Sequence, residues 1–204
     1  MEKKVLVVDL DGTLYTINTF HHFLKFLLFY SFRQFKFWLS SKLLVVILLR
    51  MLRLVSHSKM KYLILKSIQK EEIDYSAFIE RINKYKRLIG EVSNPDFHLK
   101  ILATAAPSCY ASLIAKNENF DVCLGTGFPA EEYKNNYENK GEIKKNSVLK
   151  YLRSVGVCQI DTMITDHLDD LPLMKVSSNN ILYCPNQFLE EELNKNAITF
   201  ISRV

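Results

Sequence analysis

No Asp or Glu occurs from Gly12 through Lys70, although the chain has 22 acids among 204 residues. The same stretch carries ten Lys or Arg. A block this one-sided cannot balance its own charge and marks a surface that meets anions: phosphate, anionic lipid or nucleic acid. The plainer alternative is a helical hairpin that happens to lack acids. Glycine and proline are missing from Phe20 through Val55, which removes the usual helix breakers and leaves a helical pattern. Cysteine is scarce. Cys109, Cys123, Cys158 and Cys184 show no CxxC or CxxH spacing, which argues against a zinc or disulfide framework and for reduced core thiols. Long apolar runs are also missing. Leu43–Leu49 falls far short of the roughly 18–20 residues a bilayer span needs. The apolar run near the N-terminus is too short for a secretory leader. The expected location is cytoplasmic, with peripheral contact at the inner face of an anionic membrane as a further expectation for the basic stretch. No internal repeat or low-complexity segment is present.

What remains is an ordinary globular balance, 48% hydrophobic and 24% charged. The length suits one catalytic domain with a sizeable insertion, or two small domains. Residues 4–9, KVLVVD, form an apolar run too short for a helix and read as a buried parallel strand. From about 15 to 92 the pattern is helical, with a break at His57, Ser58 and Lys59 and amphipathic helices over 59–69 and 76–87. Further strands are expected at 98–106, 120–128, 161–166 and 179–186. Helices are expected at 108–117 and 142–154, after Asp169 and Asp170, and at the C-terminus. Residues 131–140 read as a polar loop. Strands alternating with helices around a helical insertion predict an α/β fold with a doubly wound parallel sheet.

Chemistry gathers at the carboxyl ends of these strands, where open α/β sheets place their ligands. Asp9 and Asp11 stand two apart just past the first strand, and Gly12 permits a sharp bend there. Buried carboxylates are costly unless they bind cations or react. Asp-x-Asp-Gly-Thr resembles a fragment of a calcium loop, but the remaining oxygen ligands of such a loop are absent. Thr104 ends the second strand, where its hydroxyl and the amides of the following turn, starting with Ala105, can hold phosphate oxygens. Lys144, with Lys145 as a rival, opens a helix. Asp166 ends a strand and Asp170 follows four residues later. The pair suits a hard-oxygen metal site, and Asp169 and Asp170 equally suit a helix N-terminus. His21 and His22 lie near the start of the insertion, as phosphate contacts or as ordinary helix histidines.

Taken in order, VVDLDGTLY, ILATAAP, GEIKK and ITDHLDDLPLM resemble the four motifs of the haloacid dehalogenase superfamily of phosphohydrolases, in its phosphoserine-phosphatase-like form. The likeness covers the whole chain. His167 stands where many relatives carry Ser or Gly, and Thr104 where Ser is commoner. The G-x-x-K spacing of that subgroup favours Lys144 over Lys145. The resemblance implies a Rossmann-like core over 1–14 and 93–204 and an all-helical cap over 15–92. It implies Asp9 as nucleophile, Asp11 as general acid and base, and Mg²⁺ held by Asp9, Asp11, Asp166 and Asp170. Thr104, Ala105, Lys144 and Gly12 would contact the phosphoryl group.

The layout TLYTINTFHHFLKFLLFYSF is also similar to bacterial phosphatidylglycerophosphatases of the same superfamily. The expected substrate is therefore either a small phosphorylated metabolite or a lipid-linked phosphate. Two other readings stay open: a catalytically silent binding module that keeps the fold, and a phosphotransferase or mutase. Nucleic-acid binding is not expected, because the basic residues sit within a Leu/Phe-rich helical pattern rather than a nucleic-acid motif.

Overall fold

Val5–Val8 forms the first strand, β1, and all four of its residues are buried. Alternate residues of a strand face opposite sides of a sheet, so a run apolar at every position needs cover on both faces. A computed structural model, which describes residues 3–203, supplies that cover. Between β1 and the next strand run five helices: α1 (Thr19–Arg33), α2 (Phe37–Met51), α3 (His57–Ile68), α4 (Tyr75–Ile82) and the single turn α5 (Gly90–Ser93). Then follow β2 (Leu99–Pro107), α6 (Ser108–Asn117), β3 (Val122–Thr126), α7 (Glu142–Ser154), β4 (Ile160–Thr165), the short α8 (Leu171–Met174), β5 (Ser177–Tyr183), α9 (Gln187–Lys195) and β6 (Ile201–Arg203).

The sheet order is β3-β2-β1-β4-β5-β6, and every pairing is parallel. On one face Val5, Val7 and Met163 pack with Val148 and Leu152 of α7 and Leu193 of α9. On the other, Leu6, Val8 and Ile164 pack with Tyr110 and Ile114 of α6. Phe20, Phe23 and Phe78 of the insertion belong to that second cluster. The insertion therefore shares a core with the sheet.

Local chemistry explains most boundaries. The Asn18 side chain accepts from the His21 amide and starts α1; Ser56 does the same for Lys59 and starts α3. The expected break at His57–Lys59 thus lies slightly earlier, over 52–56, because Ser56 is a cap. The helix expected over 76–87 ends at Ile82 and tightens into a turn through Tyr85. Beyond it the chain extends and pairs with the segment that leaves β1: Tyr15 bridges Lys86, and the Arg87 amide donates to the Leu14 carbonyl at 2.8 Å. The strand β6 was not expected; its three residues are exposed and carry no apolar alternation to betray them.

Candidate active site

In this strand order the chain reverses direction across the sheet between β1 and β4, and the crevice past their carboxyl ends is the ordinary ligand position of such folds. Asp9 leaves β1 there, its amide donating to the Ile164 carbonyl of β4 at 2.9 Å. Gly12 follows with φ +79°, and a Cβ at that position would lie 1.9 Å from Asp166 Oδ2. The Asp166 carboxylate occupies the volume a side chain would need, so only glycine fits. Thr13 Oγ1 donates to Asp166 Oδ1 at 3.0 Å. These contacts interlock the turns after β1 and β4, and Asp9 and Asp166 line one cavity of about 420 Å³.

Lys144 lies in the first turn of α7 and is only 3% exposed. Its ammonium donates to Asp9 Oδ1 at 2.6 Å and to Asp170 Oδ1 and Oδ2 at 2.7 and 2.9 Å. Thr165 Oγ1 donates to Asp170 Oδ2 at 2.7 Å. Both oxygens of Asp170 are thus engaged in holding Lys144. Lys145 turns away and pairs with Glu142 at 2.5 Å. Burial raises the Asp9 carboxyl above its ordinary range against the pull of Lys144, and the carboxylates of Asp170 and Asp11 add to the rise. Burial also raises Asp11 and Asp166. Asp11 Oδ1 accepts from the Thr19 amide and hydroxyl at 2.7 and 2.6 Å, which ties it to the start of α1.

The charge inventory is lopsided. Asp9, Asp11, Glu138, Asp166, Asp169 and Asp170 line the cavity against Lys61, Lys140 and Lys144. With the histidines neutral, the lining carries a formal excess of three negative charges. A bound cation would offset that excess for an anionic ligand entering the cavity. Among the described residues, no group of three His, Cys, Asp or Glu side chains stands ready as a metal cage. Mg²⁺ does not demand one: it keeps several waters and takes one or two carboxylates plus substrate phosphate. The hard-oxygen donors Asp9 and Asp166, which line one cavity, fit that ion.

The opposite wall comes from the insertion and from the loop before α7. Lys61 of α3 is 3% exposed, pairs with Glu138, and donates to the Ala105 carbonyl at 2.8 Å. Its ammonium lies 5.1 Å from the Phe20 ring centroid. His57 also lines the cavity and meets Phe20 edge-on at 5.7 Å. Sequence reasoning passed over Lys61, His57 and Glu138. One lysine of a basic helix and one Glu of a polar loop carry no local signal. His21 and His22, read as phosphate contacts or as ordinary helix histidines, do not line the cavity. His21 is exposed and His22 packs on Tyr85 at 5.3 Å. His57 is the histidine of the insertion that lines it.

Thr104 is buried on the cavity floor, but β2 continues past it to Pro107 rather than turning. Thr104 Oγ1 accepts from the Ala106 amide at 3.0 Å, leaving the hydroxyl proton to donate elsewhere. Asn139 Nδ2 donates to the Thr104 and Leu124 carbonyls at 3.1 and 2.7 Å, clamping the loop before α7 onto β2 and β3. His167 stands at the rim with Nδ1 2.9 Å from Asp169 Oδ2, and that contact raises its pKa.

No family model and no curated protein sequence matches the chain. Solved structures do match its fold. A protein of unknown function from Bordetella pertussis Tohama I aligns over 98% of this chain and 99% of its own, with a TM-score of 0.76 and 15% identity. A phosphoserine phosphatase in apo form aligns over 98% and 92%, with a TM-score of 0.59 and 13% identity. A haloacid dehalogenase family hydrolase from Salmonella enterica serovar Typhi aligns over 94% and 65%, with a TM-score of 0.58 and 10% identity. The chain has the haloacid dehalogenase fold in its phosphoserine-phosphatase-like form.

Proposed function

We propose that this chain, built on the haloacid dehalogenase fold, is a Mg²⁺-dependent phosphomonoester hydrolase that works through an aspartyl phosphate on Asp9. One observation carries the reading: Asp9, Lys144 and Asp166 come from distant parts of the chain and line one cavity at the reversal point of the sheet. An Asp9 oxygen attacks phosphorus and the ester P–O bond breaks. The leaving oxygen takes its proton from Asp11, whose raised pKa suits it to hold one. In the second half, Asp11 takes a proton from water, and the water oxygen attacks phosphorus. The bond to Asp9 breaks and inorganic phosphate leaves.

Lys144, fixed by Asp170, and the Thr104 hydroxyl hold the non-bridging oxygens as charge redistributes. Mg²⁺, held by Asp9, the Asp11 backbone carbonyl and Asp166, would supply the neutralising charge that the cavity lacks. Asp170 contributes by holding Lys144. The wall of His57, Lys61 and Glu138 meets the part of the substrate beyond its phosphate. That part is a small metabolite or a lipid.

The test is p-nitrophenyl phosphate hydrolysis by the purified full chain, with Mg²⁺ and with chelator. Turnover should require the ion and fall by about 10³-fold or more in Asp9→Asn, where the amide is no nucleophile. Normal turnover by that variant, or full activity in chelator, would sink the reading. Transfer of oxygen from labelled water into the released phosphate separates hydrolysis from phosphotransfer to another acceptor.

A further inference from the structure

The helix α2 is apolar on both sides. Leu39, Leu43 and Val46 are buried against neighbours that include α1 and α3. Trp38, Val45, Leu48 and the C-cap residue Leu52 recur at spacings of seven, three and four, which puts them on one stripe. That stripe faces out: Trp38 is 76% exposed and Leu48 53%. At the tip of the α1–α2 hairpin, Phe35 and Phe37 are also exposed and meet edge-on at 6.1 Å. A helix apolar all round is normally covered all round, and a contiguous apolar patch of this kind marks an interaction surface.

Its charge says what covers it. Arg33, Lys42, Arg50 and Arg53 are exposed around the patch, and among the described residues none of them forms an ion pair with an acid. The Lys42 ammonium instead lies 5.2 Å from the Trp38 ring centroid. No acid occurs from Gly12 through Lys70. A second copy of the chain would bring cations against cations. The 15 residues of α2, about 22 Å at helical rise, are too short to span a bilayer, and no helix among the described residues is long and apolar enough to cross one. A helix with basic residues bordering an apolar face lies flat in a membrane interface.

We propose that the tip of the α1–α2 hairpin and the outer stripe of α2 dock into the headgroup region of an anionic lipid bilayer. The proposal is independent of the cavity chemistry, so the Asp9→Asn variant should bind as the parent chain does.

Trp38 is the sole tryptophan of the chain, so its fluorescence reads this face alone. The experiment mixes the full chain with vesicles of phosphatidylglycerol and phosphatidylcholine, and separately with phosphatidylcholine alone. Co-sedimentation with the mixed vesicles and a blue shift of Trp38 emission are expected, with weak binding to the neutral ones. Arg50→Gln and Arg53→Gln should each weaken binding about fivefold. Leu48→Ser, at an exposed position, should weaken it about tenfold or more. Three outcomes would overturn the proposal: no binding to mixed vesicles; binding unmoved by Leu48→Ser, which is adsorption by charge alone; or a lipid-free dimer in which Trp38 emission is already blue-shifted.

Discussion

In the cavity, charge is buried; on the outer stripe of α2, apolar carbon is exposed. Lys61 and Lys144 are almost fully hidden, whereas Trp38 stands mostly in water. Both regions invert the usual partition of residues between inside and outside. In the cavity each buried lysine has a carboxylate partner and each bond is directed. The α2 stripe has no cover among the described residues, and the proposed bilayer contact would supply it. Local rules broken at a site mark function, and a contiguous exposed apolar patch marks an interaction surface. The two regions are close in sequence, since α2 is followed by the short 52–56 link to His57 on the cavity wall.

The contrast can be broken most sharply at Lys61. Lys61→Met strands the largely hidden Glu138 carboxylate, its side chain 12% exposed, and should cost about 3 kcal/mol in urea unfolding, because removing one partner of a pair so shielded leaves an uncompensated charge. Adding Glu138→Gln should recover much of that loss. A single-variant cost below about 1 kcal/mol would mean that the pair is effectively solvated.

The two sides of α2 give the next test. Leu43→Ala, on the buried side, should cost about 2–4 kcal/mol through lost contacts and a cavity. Leu48→Ser, five residues further and on the outer stripe, should change stability by less than about 0.5 kcal/mol. Equal costs in a thermal or denaturant melt would show that the outer stripe is already covered in the free chain.

The smallest expected effect is a pH dependence at His57. Burial lowers its pKa from 6.5, and the charge of Lys61 adds to the lowering, against Glu138. The unfolded chain therefore binds that proton more readily than the folded one. His57's contribution to stability is full above pH 6.5 and declines as the pH falls below it. Thermal melts on either side of that value should show the decline, and His57→Gln should flatten it. An unchanged slope in the variant would assign the dependence to other groups.

Much of this molecule is legible in its sequence, and the legible parts share a cause. The helices at 108–117 and 142–154 stand where read because local propensity and tertiary packing agree there. Asp9, Asp11 and Asp166 announce themselves because each follows an apolar strand and sits beside turn chemistry. Lys61, His57 and Glu138 do not, since each reaches the cavity from a segment whose local pattern says only helix or loop. The strand β6 escaped for the same reason: it is held by edge pairing to β5, not by a pattern of its own.

From its sequence alone, the chain determines alternating strands and helices around an acid-free helical insertion, with carboxylates at strand ends. Those are properties of neighbours in the chain: periodicity, capping and the steric freedom of Gly12. Only the tertiary structure decides that Lys144 sits between Asp9 and Asp170, that Lys61 closes the far wall, and which side of α2 faces out. A helix apolar all round carries no phase information, and an ion pair between residues 135 positions apart is set by the sheet order that brings their elements together.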